Sequence, residues 1–305
     1  MAPEAKGVRN VAKSAPAANR EASLQLIDNF SLEMTGKDVP GLLEAKDHIP
    51  PGTRINITFL GNEDLQMRVA AAKAVREHGF TPVPHISARR LKSQGELEEF
   101  LGRLQEVGAA EHVFTVGGDP SVPEGPYEDS LAVISSGVLQ QYGVREVGIG
   151  GYPEGHPDIS KETLARALED KAAALKDQGL GAVILTQFAF DTEPVAEWIA
   201  GVRAKGIEAP IRVGTPGPAG IKRLLGFARR FGVGANAMIV KKYGFSLTNL
   251  LGEAGPEHFV DDLASALTDA WPHPGIPGKV GLHFYTFGGL KATADWVRTF
   301  TAERS

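Results

Sequence analysis

A single (β/α)8 TIM barrel is the fold class that this 305-residue sequence predicts, and three observations predict it. Short β-branched or apolar runs alternate with longer amphipathic ones, the pattern of a parallel sheet covered by helices. Eight such units can be counted, with no linker rich in Pro, Gly and Ser between them, which favours one closed barrel over an open doubly wound sheet. Polar residues then gather where the apolar runs end, and sites of this fold are built at those strand ends.

In chain order, residues 1–20 read as a flexible N-terminal arm, with Lys6, Arg9, Lys13 and Arg20 against Glu4 amid Ala, Ser and Pro. Its composition leaves a transit peptide open as the alternative. The barrel is then expected over 21–305. Strands are predicted at Leu24–Met34, Arg54–Leu60, Thr81–Ile86, His112–Val116, Glu146–Ile149, Ala182–Thr186, Ala209–Val213 and Lys279–Tyr285. Helical spacing runs over Leu65–His78, Glu96–Val107, Lys161–Gln178 and Ile221–Phe231; in the third, Leu164, Leu168, Ala172 and Leu175 share a face. Gly79, Gly108, Gly143, Gly179 and Gly206 each stand where a helix stops before the next strand. The connection between strands seven and eight is long, and Ile239–Tyr243 and Phe259–Ala270 within it predict extra helices there.

Bulk properties narrow the chemistry. A net charge of -5 gives no basic footprint for nucleic acid, so a small-molecule partner is expected. No apolar run approaches the ~18 residues of a membrane span. Zero cysteines exclude a thiol nucleophile, a cysteine-ligated metal and a disulfide framework, in keeping with the cytoplasm. Homo-oligomerisation stays open.

The polar rim expected at strand ends comprises Glu33, Thr58, His85, Gly118 with Asp119, then Tyr152, Glu154 and His156, then Gln187 and Asp191. Taken singly, a carboxylate there is as readily a helix cap or an ion-pair partner. Their coincidence on one rim argues for a site. Gly232, Gly234 and Ala237 spell the dinucleotide fingerprint, but a helical run precedes them where a strand is required. Zincin, serine-hydrolase and P-loop motifs do not occur in the chain. His85 and His156, with Glu154, have the chemistry of a metal site on the barrel rim, and no metal is expected there.

Several segments carry a more specific signal: Ser31-Leu32-Glu33, Ile57-Thr58-Phe59, Pro84-His85-Ile86, Val116-Gly117-Gly118-Asp119, Tyr127, Tyr152-Pro153-Glu154-Gly155-His156-Pro157, Thr186-Gln187-Phe188 and His283-Phe284-Tyr285-Thr286. In composition and order they resemble the methylenetetrahydrofolate reductase family. The resemblance implies a barrel holding FAD that takes hydride from NADH or NADPH and interconverts 5,10-methylene- and 5-methyltetrahydrofolate, in one-carbon metabolism and methionine biosynthesis, with an oxidative direction also open. It implies Glu33 as the acid, and Asp119 as a second catalytic residue that tunes the flavin's pyrimidine end and helps hold the pterin. It implies Thr58, His85, Val116, Gly118, Asp119, Tyr127, Tyr152, Glu154, His156, Glu169 and Lys176 as cofactor contacts, and Gln187, Ile221 and Tyr285 as substrate contacts. Glu169 and Lys176 have Asp170 and Lys171 as alternatives, depending on where one inserted residue falls.

Departures from the family pattern are local. Gly117 stands where the family has Arg, Ile221 where an aromatic is usual, and Phe287-Gly288-Gly289 where the family has L-N-R. Two other readings therefore accompany the first: a flavin-free reductase of the same folate with direct transfer from NADH, and a non-redox folate-binding or methyl-carrier barrel.

Overall fold

The computed structural model describes residues 17–59, 61, 63–220, 253–270 and 279–305. Helix α1 (Ala17–Asp28) leads into β1 (Ser31–Met34), followed by α2 (Val39–Ala45), β2 (Arg54–Ile57), α3 (Leu65–Glu77), β3 (Thr81–Ser87), α4 (Gln94–Glu106) and β4 (His112–Val116). Next come α5 (Ser130–Ser135), α6 (Val138–Gln141), β5 (Glu146–Gly151), α7 (Lys161–Asp177), β6 (Gly181–Phe188), α8 (Thr192–Ala204) and β7 (Ile211–Pro216). A short antiparallel pair, β8 (Ala219–Gly220) with β9 (Glu253–Ala254), precedes α9 (Glu257–Ala270), β10 (Val280–Tyr285) and α10 (Leu290–Arg304). The eight barrel strands close in the order β1-β10-β7-β6-β5-β4-β3-β2, every neighbour parallel. The chain is a (β/α)8 barrel.

All eight predicted strands are present, but the first is shorter than expected. Residues 24–28 belong to α1, whose buried positions Ala22, Ser23, Leu26 and Ile27 follow helical spacing. Residues 17–20, assigned to the arm from sequence, are helical too, and Arg20 donates to the Glu303 carbonyl at 3.2 Å. Residues 1–16 lie outside the described residues, as do the expected helix Ile221–Phe231, the segment Ile239–Tyr243 and the Gly232–Ala237 motif. Of the expected additions between strands seven and eight, α9 is described.

Local chemistry explains the helix boundaries. Asp64, Ser93, Asp129, Ser160 and Asp191 each accept a backbone N–H in the first turn of α3, α4, α5, α7 and α8, so the chain turns from strand to helix at a capping residue. At the other ends, the five glycines flagged in sequence all adopt φ between 68° and 82°, a region costly for any residue with a Cβ.

Strand alternation sorts the side chains into two environments. One set, including Leu32, Ile55, Val113, Val147, Ile184, Ile211, Leu282 and Phe284, joins the helices in a single apolar core. Each such buried side chain contributes about 1.5–3 kcal/mol relative to exposure. The other set points into the barrel and is largely polar: Ser31, Arg54, Asn56, Glu146 and Arg212 line one cavity of ≈ 20 Å³ with Val83, Phe114, Gly148, Val183 and Leu185. That space holds about one water. Val83, Phe114 and Leu185 form a thin apolar layer inside the barrel. Below them, at the strand N-termini, the Glu146 carboxylate accepts from both guanidinium nitrogens of Arg54 and lies 3.4 Å from His112 Nδ1. Above them lies the mouth.

Candidate active site

Glu33 reaches the mouth because β1 alternates: Leu32 and Met34 face the helices, Ser31 and Glu33 the interior. Thr286 Oγ1 donates to the Glu33 carbonyl at 2.7 Å, tying the end of β1 to the residue after β10. The Glu33 side chain is 18% exposed, with Oε2 3.7 Å from His283 Nε2. Burial, assisted by the negative charge of Asp38, pushes its carboxyl up to about 8. At neutral pH it therefore holds its proton.

The two histidines of the interior behave in the opposite sense. Burial, then the charge of Arg212, lowers His283 to about 3, while burial, His283 and Arg68 together lower His85 to about 3. Both rings are neutral. His85 packs on Phe114 with centroids 4.7 Å apart, and among the described residues its buried Nε2 has no hydrogen-bond partner, nor has Ser87 Oγ on the same strand. Across from them Gly118 sits at φ 96°, and a Cβ there would stand 2.1 Å from Ser87 Oγ. Among the described residues nothing lies within 4 Å of a Cβ built on Gly117. A bare backbone and two unused polar atoms thus line the same edge of the mouth.

A β-bulge sets the far side. Leu185 pairs with Arg212 but Phe188 pairs with Gly214, so β6 carries one extra residue between them. The Gly214 N–H bonds Thr186 Oγ1 at 2.8 Å, and Tyr285 Oη donates to the Thr186 carbonyl at 2.9 Å, locking the bulge. The irregularity presents Gln187, half-buried, next to Phe188. Phe188 meets Tyr285 edge-on at 5.5 Å and Phe287 at 6.0 Å, and Tyr285 stacks with Phe287 at 6.3 Å. Phe287 has φ 50°, in the left-handed region that residues with a Cβ seldom adopt. Three rings and one amide form this wall.

The remaining expected residues divide. Thr58, half-buried, donates from Oγ1 to the Met34 carbonyl at 3.3 Å, and Val116 packs on the interior apolar layer. Tyr127 is buried. Tyr152 is half-buried, its hydroxyl pushed up by burial, and meets His156 edge-on at 5.6 Å; His156 Nδ1 accepts from the Asp158 N–H, and Glu154 is exposed. Asp119 takes a two-pronged ion pair from Arg90 at 2.8 and 2.6 Å, with its side chain 76% exposed. Asp191 is the N-cap of α8.

Two placements bear on the alternatives that the sequence leaves open on α7. Lys176 is exposed in the last turn of α7, at the end of the barrel opposite the mouth, and Glu169 is exposed and pairs with Lys205 at the C-terminus of α8. The inward-facing cation of that helix is Lys171, which burial lowers and the charge of Asp129 raises. Helical periodicity carries that signal, since Leu168, Lys171 and Leu175 are its buried positions. Ile221 lies outside the described residues. His283, Arg90 and Phe287 are not among the site residues expected from sequence, although the first stands in plain view in the segment His283–Thr286.

A family model described as methylenetetrahydrofolate reductase matches residues 36–243. The chain belongs to that family. Methylenetetrahydrofolate reductase 2 of Saccharomyces cerevisiae is 34% identical over 84 residues, which are 28% of this chain. The match spans only 13% of the length of that relative. Among solved structures, dihydropteroate synthase (FolP) from Thermus thermophilus is similar at 13% identity and a TM-score of 0.47, covering 90% of this chain and 93% of that one. A mandelate racemase/muconate lactonizing protein from Paracoccus denitrificans Pd1222 is similar at 16% identity and a TM-score of 0.37, over 62% and 48%. At one barrel mouth this chain combines a half-buried glutamic acid on β1 with an aromatic and amide wall that runs from the neighbouring β10 to β6. Among the described residues no helix is long and apolar enough to cross a membrane.

Proposed function

We propose that the chain is a flavin-dependent oxidoreductase interconverting 5,10-methylenetetrahydrofolate and 5-methyltetrahydrofolate. One observation carries the reading: Glu33 is a carboxylic acid that burial keeps protonated up to about pH 8, at the mouth of the barrel. Opening the methylene bridge to an iminium on N5 makes N10 a leaving amine, and that atom needs a proton. A neutral acid in an apolar setting is suited to give it. In the reverse sense the ionised Glu33 takes the proton back from N10.

The residues present fit a flavin. His85 Nε2 and Ser87 Oγ are buried and unused, and the glycine pair at 117 and 118 leaves an edge free of Cβ atoms. Thr58, His85, Gly118, Tyr152 and His156 would hold it, with Lys171 available to an anionic part. FAD supplies, when bound, a two-electron carrier between a pyridine nucleotide, NADH or NADPH, and the folate. Gln187 offers an amide to the folate ring, Tyr285 and Phe188 give that ring flat apolar walls, and Asp119 stands on the β4 loop to accept a hydrogen bond from the pterin. With this chemistry we place the chain in one-carbon metabolism, in the cytoplasm.

The test is the anaerobic absorption spectrum of the purified protein, before and after NADH and then methyltetrahydrofolate. A yellow chromophore bleached by the folate is expected. A colourless protein that oxidises NADH with methylenetetrahydrofolate would establish the flavin-free reaction in its place, and no folate-dependent change of any kind would defeat the enzyme reading.

A further inference from the structure

His283 lies on β10 beside Glu33, fully buried, and the acid–base reading gives it no task. Its ring is fixed at Nδ1, which lies 2.9 Å from Ser31 Oγ and 3.4 Å from Asn56 Nδ2. An amide nitrogen only donates and a hydroxyl can do so, so Nδ1 accepts and the ring proton sits on Nε2. Tyr285 closes one side, its ring edge-on at 4.8 Å. Among the described residues the buried Nε2 has no hydrogen-bond partner, and Oε2 of Glu33 stands 3.7 Å from it. A buried N–H with no acceptor is costly, and the carboxyl oxygen facing it is the group that would relieve the cost.

We propose that His283 is the positioning residue of Glu33: held by Ser31 and Asn56, it aims Nε2–H at Oε2, fixes the carboxyl plane, and leaves Oε1 to face the substrate. The proposal rests on Glu33 being the acid of the site, and it assigns the group that orients that acid. A small rotation of the carboxyl brings 3.7 Å to a hydrogen-bond length of about 2.9 Å, and catalytic contacts commonly tighten in this way once substrate packs against them. The surrounding charges agree with the assignment. Burial and then Asp38 oppose ionisation of Glu33, the Tyr285 hydroxyl is raised by burial and by the charges of Glu33 and Tyr152, and burial and then Arg212 keep His283 neutral. A neutral ring that cannot take a second proton acts as a fixed donor, not as a proton carrier.

The experiment titrates the Glu33 carboxyl in the ligand-free protein by difference infrared spectroscopy, with Glu33→Gln identifying its band. His283→Phe removes the donor and should raise the midpoint by about one pH unit, a tenfold change in the ionisation constant. His283→Gln keeps an N–H and should return the midpoint close to that of the parent. Asn56→Leu frees the ring to change tautomer and should move the midpoint the same way by less, which keeps the test alive if the Phe variant does not fold. An unmoved midpoint in the folded variants that lack the donor or its anchor overturns the assignment, as does a Gln variant that behaves like Phe. No folate enters the titration, so a protein that shows these shifts but turns over no folate counts against the proposed reaction and leaves the role of His283 standing.

Discussion

The floor and the mouth of the barrel each enclose a glutamate, and the protein holds the two in opposite states. Burial alone would push both carboxyls up. At the floor, hydrogen bonds from His112 and Arg54 and the charge of Arg54 outweigh burial and bring Glu146 to about 2. At the mouth Glu33 faces the carboxylate of Asp38 and a neutral imidazole, and burial leaves it at about 8. The side chains are similarly exposed, 22% and 18%. Depth therefore does not separate them; partners do. The floor is built as an ion pair that holds strands together, and the mouth, among the described residues, lacks the cation that would make Glu33 equally inert.

The largest effect that would break this comparison is on turnover. Glu33→Gln should cost ~10²–10⁴-fold in conversion of methylenetetrahydrofolate while leaving reduction of the cofactor by NADH or methyltetrahydrofolate largely intact. Equal loss in all half-reactions would make Glu33 structural and the two glutamates alike. In the parent protein the same step should slow as pH rises past about 8, where Glu33 ionises.

Stability should move the other way. Below its ordinary value of 4.5 Glu33 is protonated whether folded or not; between 4.5 and about 8 only the unfolded chain gains by ionising. The resulting penalty is complete above pH 8 and on the order of 5 kcal/mol, so Glu33→Gln should stabilise the protein there and leave it unchanged at pH 4. Glu146 has the reverse sign: its folded value is depressed, so its contribution is full above 4.5 and is lost as pH falls through about 2. Glu146→Gln leaves Arg54 and Arg212 in the interior without their anion and should cost about 3 kcal/mol at neutral pH, read from the urea midpoint. If both variants destabilise equally at pH 9, the mouth is not a strained site.

What the sequence makes legible follows from the range of the interactions involved. Strand positions and the glycines that end α3, α4, α6, α7 and α8 are local signals, and Gly79, Gly108, Gly143, Gly179 and Gly206 all take the positive φ they were expected to need. The misassigned start of β1 is also local: Leu24, Leu26 and Ile27 form an apolar run too short to separate helix from strand, and the decision came from packing on α9, α10 and β10. Glu33 and Gln187 were legible through motif. Their environment was not, because the upward shift on Glu33 comes from burial inside the closed barrel and from Asp38, and Gln187 owes its aim to a bulge visible only once β6 pairs with β7. Lys171 rather than Lys176 as the inward cation was within reach of helical periodicity alone.

A third carboxylate sharpens the comparison with the smallest expected effect. Asp119 has the partner that Glu33 lacks, a two-pronged Arg90, yet sits on the β4 loop with its side chain 76% exposed. Water screens such a pair, and ion pairs of this kind are worth about 0.2–1 kcal/mol. Arg90→Gln should therefore cost no more than about 1 kcal/mol, read from the urea midpoint, and less at ~1 M salt, where the screening length falls to about 3 Å. The loop then has ion pairing without burial, the mouth burial without ion pairing, and the floor both. A cost above about 2 kcal/mol for Arg90→Gln would mean that the pair is anchored as firmly as Arg54 with Glu146, and exposure would no longer rank the three sites. A small cost joined to weakened ligand binding would instead mark Arg90 as a residue that orients Asp119 toward whatever the mouth receives, with the fold indifferent to its loss.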